Sequence, residues 1–255
     1  MQRSGESSIF LLQTGNSLKL ANKVAVISGA SRGIGRALAK RFASEGAVVC
    51  MCARHVDQLR TVSLEIMSSG GKSFFEQTDI SDEGQVQDFL ALCSSNFGPI
   101  DILVNNAGIL GPRIPLSEYL SQEWTKVLSV NLNGLFYMTK NALPYFSPAG
   151  GSIINVSSSV GKIAQPNWGA YGVSKFATEG FSQALSAELR SKNIRVNSVN
   201  PGGVATEMRH QAYPDENQRT LRTPEEILDV FIYLASDESK HITGKSFDAQ
   251  HFNLR

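Results

Sequence analysis

Tyr171 and Lys175 stand four residues apart, a spacing that places a phenol and an ammonium on one face of a helix. A cation beside a phenol favours the ionised form, so the pair could make Tyr171 a proton donor and acceptor. Ser158 lies thirteen residues before Tyr171, just beyond the apolar run Ile153-Ile-Asn-Val156. A hydroxyl delivered from that strand end could bond the same substrate oxygen that the tyrosine protonates. Three polar groups converging on one atom suit proton transfer at a carbonyl or alcohol oxygen.

A second constellation is Ser28-Gly-Ala-Ser-Arg-Gly-Ile-Gly35. It follows the β-branched run Val24–Ser28 and precedes a helical pattern over Arg36–Glu45, so it reads as strand, tight turn and helix. At Gly29, Gly33 and Gly35 the missing side chains would let backbone approach a pyrophosphate at the helix N-terminus, whose dipole favours anions. The G-x-x-x-G-x-G spacing departs from the commoner dinucleotide pattern G-x-G-x-x-G.

Taken with Asn105-Asn-Ala-Gly108, Asn131 and Pro201-Gly202, these motifs resemble the short-chain dehydrogenase/reductase family, in its branch of 3-oxoacyl-[acyl-carrier-protein] reductases. The resemblance runs from about Lys19 to Ala249, with every motif in the family's order and at its spacing. It implies a catalytic set of Ser158, Tyr171, Lys175 and Asn131, in which Asn131 bends its helix and holds a water that links Lys175 to solvent. For the cofactor it implies Gly29, Ser31, Arg32, Gly33, Ile34 and Gly35 in the first turn, and Asp79 and Ile80 against the adenine. Asn105, Ala107 and Gly108 would lie along the cofactor, Asn105 also bracing the sheet. Tyr171 and Lys175 would meet the ribose, and Pro201, Gly202, Val204 and Thr206 the nicotinamide. Asp79 also reads as part of an N-cap region for a helix starting near Asp82.

Cofactor choice is legible in charge. The strand Val48–Cys52 runs out into Arg54 with no carboxylate until Asp57, where an acidic residue would serve the ribose of NAD. Arg54 and Arg32 each present a planar fork suited to a 2′-phosphate, and one unit charge pair at ~4 Å is worth about 4 kcal/mol at an effective dielectric near 20. NADP is therefore expected, with NAD as the alternative if both arginines are surface charges only.

The rest of the chain must position these groups. At 255 residues, with 42% hydrophobic and 18% charged, it suits one α/β domain with a sizeable core. Strands alternating with helices argue a single-domain Rossmann fold, a doubly wound seven-stranded parallel sheet. A long helix is expected over Ser121–Leu143, one from Tyr171 to about Ser191, and a last one from the N-cap Thr223 to Ser236. Residues 206–222 read as a short polar lid, and 1–17 as a tail preceding the domain at 18–255. The family's glycine pair after the last strand is replaced by Ala249-Gln250.

A net charge of +1 gives no electrostatic reason to expect nucleic acid or a membrane, and no run reaches the ~18 apolar residues of a spanning helix. Cys50, Cys52 and Cys93 are odd in number and lack zinc spacing, and the four histidines show no ligand pattern. A reducing, cytoplasmic setting without metal is expected. Apolar residues on more than one face of the helix from Tyr171 point to a homodimer or homotetramer.

The expected reaction is hydride exchange between NADP(H) and a small-molecule carbonyl/alcohol pair, with Leu110, Gln165 and Trp168 near the substrate. An NAD-preferring sugar, polyol or hydroxysteroid dehydrogenase is the alternative within the family. A non-catalytic dinucleotide sensor would have lost the tyrosine or lysine, and both are present. A nucleotide-sugar epimerase would need a substrate domain for which this chain has no room.

Overall fold

The apolar runs become strands because each is covered on both faces. In β1 (Val24–Ser28) every residue is buried, and the strand pairs in parallel with β2 (Val48–Ala53) and β4 (Ile102–Asn105). β3 (Lys72–Gln77) adds to β2 at one edge; β5 (Gly151–Val156), β6 (Ile194–Asn200) and β7 (Ser246–Asp248) follow β4 at the other. The sheet has seven strands in the order 3-2-1-4-5-6-7, all parallel. Strand order reverses between β1 and β4, and a ligand crevice opens beyond the carboxyl ends at such a point. This structure, a computed structural model, describes residues 18–253, so the tail expected at 1–17 lies outside the described residues.

Alternate strand residues feed two core layers. Ile27 and Met51 pack against α1 (Gly33–Ser44), α2 (Val56–Ser68) and α8 (Asp229–Ala235), with Leu38, Phe42, Leu59 and Phe231 among the contacts. Val26, Cys50 and Leu103 face α3 (Glu83–Phe97), α5 (Gly134–Ala142) and α6 (Gly169–Glu188), where Phe89, Met138 and Leu185 meet them. Phe42, Phe89 and Phe231 are fully buried, each worth ~1.5–3 kcal/mol relative to exposure. All three cysteines are free and buried in the second layer, where burial pushes the Cys52 and Cys93 thiols far up.

Several expected boundaries shift for physical reasons. α1 starts at Gly33 rather than Arg36, so the second half of the glycine turn is itself the first helical turn. The helix expected over Ser121–Leu143 is α4 (Ser121–Leu128), a π-helical segment Ser129–Asn133, and then α5. The last helix begins as a 3-10 turn, Pro224–Ile227, closed by a capping box between Thr223 and Glu226. The lid is not wholly irregular: Thr206 caps α7 (Glu207–Ala212), accepting from the Arg209 amide at 3.2 Å. Among the described residues no helix is long and apolar enough to cross a membrane, and no cluster of metal-ligating side chains forms.

Candidate active site

The glycine turn is packed backbone against backbone. Gly29 leaves β1 at φ +67°, and a Cβ there would lie 2.8 Å from Ala107 Cα. At Gly35 a Cβ would lie 2.2 Å from the Gly29 carbonyl oxygen and 2.5 Å from Asn106 Nδ2, so only glycine fits. Asn106 Nδ2 donates to the carbonyls of Ser28 (3.0 Å) and Gly29 (3.1 Å), while Ser28 Oγ accepts from the amides of Asn106 (3.1 Å) and Ala107 (3.2 Å). The turns after β1 and β4 thus form one wall. Sequence reasoning gave Asn106 no role; its signal was a polar residue between small ones, next to a second asparagine.

Above this wall opens a cleft of about 560 Å³, within the range of small-molecule sites. Of the expected cofactor residues, Gly29, Ser31, Arg32, Gly33, Ile34, Arg54, Asp79, Ile80, Ala107, Gly108, Tyr171, Lys175, Pro201 and Thr206 line it. Gly35, Asn105, Gly202 and Val204 do not. Gly35 and Val204 are buried behind the surface, and Gly202 underlies a turn. Asn105 is turned into the sheet, donating to Thr139 Oγ1 (3.0 Å) and Asn155 Oδ1 (2.9 Å). It braces strands and does not line the cleft. Arg36, His55, Thr78, Ser157, Met208 and Glu225 also line it and were not expected.

At the rim, Arg36 is held by Glu65 at 2.6 Å, whereas Arg32 and Arg54 are exposed and, among the described residues, pair with no carboxylate. Asp79 caps no helix. Its Oδ1 accepts from the amide (3.0 Å) and hydroxyl (2.7 Å) of Ser81, and Asp82 caps α3 instead.

The expected catalytic groups come from three elements. Tyr171 and Lys175 are one turn apart on α6 and both buried, with Lys175 Nζ 5.6 Å from the Tyr171 ring centre. Burial pushes Tyr171 up to about 12, against the lowering that the spacing suggested, while Lys175 Nζ donates to the Val156 carbonyl at 2.7 Å. The Ser158 hydroxyl, which also accepts from the Val160 amide at 3.4 Å, opposes that rise. Burial pulls Lys175 down to about 8, opposed by Glu179 one turn further along. The Glu179 carboxylate is fixed by the hydroxyls of Ser198 (2.6 Å) and Ser246 (3.2 Å).

Asn131 explains the π-helical break. Its Oδ1 accepts from the Ile109 amide (2.8 Å), and its Nδ2 donates to the Ile109 carbonyl (2.9 Å) and to Ser174 Oγ (3.1 Å). The side chain grips the loop after β4 as a strand partner would, and the extra residue in the turn brings it there. Behind the cleft, Asn131, Asn105 and Lys175 line a cavity of about 10 Å³, close to the size of one water.

The substrate side departs most from expectation. Leu110 and Trp168 do not line the cleft but are buried with Val160, Tyr171 and Ala212, and Gln165 lies exposed in its loop. Arg113, unnoticed in the sequence, lies over both the Trp168 ring (4.5 Å) and the neighbouring Tyr213 ring (4.7 Å) and donates to the Ala212 carbonyl. Arg209 also lies over the Tyr213 ring, at 3.9 Å, and its Nε and Nη2 donate to the two carboxylate oxygens of Glu216, 2.6 Å at each contact. The lid is thereby stacked onto the residue beside Tyr171, since Trp168 and Tyr171 have ring centres 5.6 Å apart.

A dinucleotide fits the residues present. The floor lacks side chains at Gly29 and Gly33, and an added Cβ at Gly33 would meet nothing nearer than Thr206 at 3.5 Å. The Ser157 hydroxyl, buried in the cleft wall, has no partner among the described residues.

Comparison with known proteins agrees with this geometry. The family model for short chain dehydrogenases matches residues 23–217. The oxidoreductase YciK of Escherichia coli, itself uncharacterized, is 38% identical over 235 residues, covering 91% of this chain and 93% of its own. A 3-oxoacyl-[acyl-carrier-protein] reductase of Thermotoga maritima is 35% identical over 238 residues, 89% and 96% of the two chains. A short chain dehydrogenase of Shigella flexneri, crystallised with NADP, superposes with a TM-score of 0.88 at 37% identity, covering 92% of this chain and 99% of that one. The chain is an oxidoreductase of the short-chain dehydrogenase/reductase family.

Proposed function

We propose that the protein exchanges hydride between NADP(H) and a small-molecule carbonyl/alcohol pair. The observation that carries the reading is the meeting of Tyr171, Lys175, the glycine turn and two arginines without a carboxylate partner among the described residues in one cleft. NADP(H), when bound, supplies or accepts the hydride. Ser158 orients the substrate oxygen, Tyr171 gives it a proton in reduction and takes one back in oxidation, and Lys175 holds ribose hydroxyls. Asn131 fixes the loop that shapes the site. With its burial-raised pKa of about 12, Tyr171 rests as the phenol, the form that reduction requires. Arg32 and Arg54 hold the 2′-phosphate by charge-assisted hydrogen bonds that NAD cannot make. NADP in the Shigella relative's crystal supports that preference.

The same reading places the protein in the cytoplasm as a homodimer or homotetramer. Phe136 on α5 with Val173 and Phe176 on α6 stay more than 40% exposed, an apolar surface that a second copy would cover. Light scattering should show an assembly larger than a monomer at micromolar concentration.

The test of function is NADPH oxidation across acyl, sugar, aromatic and steroid carbonyls. Turnover of at least one class is expected. Tight NADPH binding without turnover of any class would favour a dinucleotide sensor, and no binding would overturn the reading.

A further inference from the structure

The turn that follows β6 is tied from the chain's C-terminal segment. Gln250 Nε2 donates to the carbonyls of Pro201 (2.8 Å) and Gly203 (3.2 Å), bracketing Gly202 from both sides. Gly202 sits at φ +73°, and a Cβ there would lie 2.4 Å from Gln250 Cγ. The glutamine stem therefore occupies the space that the glycine leaves.

Gln250 is itself held. Its amide donates to Asp248 Oδ1 (3.0 Å), Asp248 Oδ2 accepts from Asn200 Nδ2 (3.2 Å), and Asn200 Oδ1 accepts from the Gly202 amide (3.0 Å). These links close a ring across the ends of β6 and β7, where Asn200 and Asp248 are in register. Beyond the ring, Phe252 packs on Tyr233 and Phe247, with ring centres 5.4 and 6.1 Å away. Pro201, Ala205 and Thr206, which emerge from the braced turn, line the cleft next to Tyr171.

We infer that Gln250, backed by Asp248 and Asn200, is a positioning residue for the reacting end of the dinucleotide, acting through the Pro201–Gly203 turn. The inference rests on the reading of the cleft as an NADP(H) site. Three observations favour positioning over plain stability. The bonds go to backbone carbonyls of the turn from which Pro201 lines the cleft, the glutamine stem fills the space where a Cβ on Gly202 would stand, and the hydrogen bonds of this ring include none of the adenine-side residues Asp79 and Ile80.

Two variants separate stem from amide. Gln250→Met keeps the stem against Gly202 without an N–H donor; Gln250→Glu sets a carboxylate oxygen against two carbonyls. Dissociation constants are measured for NADP+ and for adenosine 2′,5′-bisphosphate, which lacks the nicotinamide half. Both variants should bind NADP+ about tenfold more weakly, as loss of two bonds to part-buried carbonyls implies, and the bisphosphate within about twofold of wild type. Equal weakening of both ligands, or of neither, would overturn the inference. If wild type binds neither ligand, it is the reading of the cleft that fails.

Hydrogen exchange of the wild-type chain tests the same point should the variants not fold. NADP+ should slow exchange over 200–206 and 247–252, and the bisphosphate should not. Absence of protection over 247–252 with NADP+ bound would overturn the inference.

Discussion

At the glycine turn backbone meets backbone, with a Cβ on Gly35 only 2.2 Å from the Gly29 carbonyl. Under the lid side chain meets side chain, with Arg113 stacked 4.5 Å from Trp168 and 4.7 Å from Tyr213. Backbone cannot yield, so the first half accepts almost no substitution and suits a ligand that never changes. Stacked side chains can turn or be replaced while the sheet stays intact, so the second half can be rebuilt for different substrates. One fold thereby keeps its cofactor chemistry and leaves its substrate open.

The comparison breaks most sharply at Gly35. Gly35→Ala should weaken NADP+ binding about a hundredfold or more, because overpacking falls on backbone atoms that have nowhere to move. A titration within about threefold of wild type would show that the turn is softer than its contacts indicate. Next in size is Arg54→Asp, which should reverse a preference for NADP of about tenfold or more, since a carboxylate accepts from ribose hydroxyls and repels the 2′-phosphate. Raising salt should weaken NADP binding more than NAD binding, because exposed ion pairs are screened. Equal dissociation constants for the two cofactors in wild type would return both arginines to the role of surface charges.

On the other side, Arg113→Ala should change the KM for the carbonyl substrate by about three- to tenfold, as loss of a stacked cation worth ~1 kcal/mol would, with the NADP+ dissociation constant unchanged. A change in cofactor affinity of the same size would mean that the halves are coupled.

The smallest effect is in pH. Burial lowers Lys175 from 10.5 to about 8, so its charge, and with it the proposed hold on ribose hydroxyls, fades as pH rises through that value. kcat/KM for NADPH, which reports groups of the free enzyme, should fall as pH rises through about 8. Glu179→Gln removes the charge that opposes this lowering and should move the fall to lower pH. A profile flat from pH 6 to 10 would remove Lys175 from the account.

What the sequence made legible follows the same division. The strands, the glycine turn and the Tyr171–Lys175 pair were readable because local spacing determines them: Val24–Ser28 must be buried, and i,i+4 residues must share a helix face. The rise of the Tyr171 phenol was not readable, because it comes from burial, nor was the bond from Lys175 to the Val156 carbonyl, which comes from another strand. Nor was the stack of Arg113, Trp168, Tyr213 and Arg209, whose members come from three segments far apart in sequence. The π-helical break at Asn131 lies between these cases: the asparagine was visible, but its partner Ile109, twenty-two residues away, was not.

Tyr171→Phe tests the central claim most directly, because it removes one oxygen from a buried ring and leaves the cleft floor in place. With NADPH and the best carbonyl substrate, turnover should fall about a hundredfold to ten-thousandfold, the usual worth of general acid catalysis, while the NADPH dissociation constant stays within about twofold. Turnover equal to wild type would contradict the account and remove Tyr171 from the chemistry.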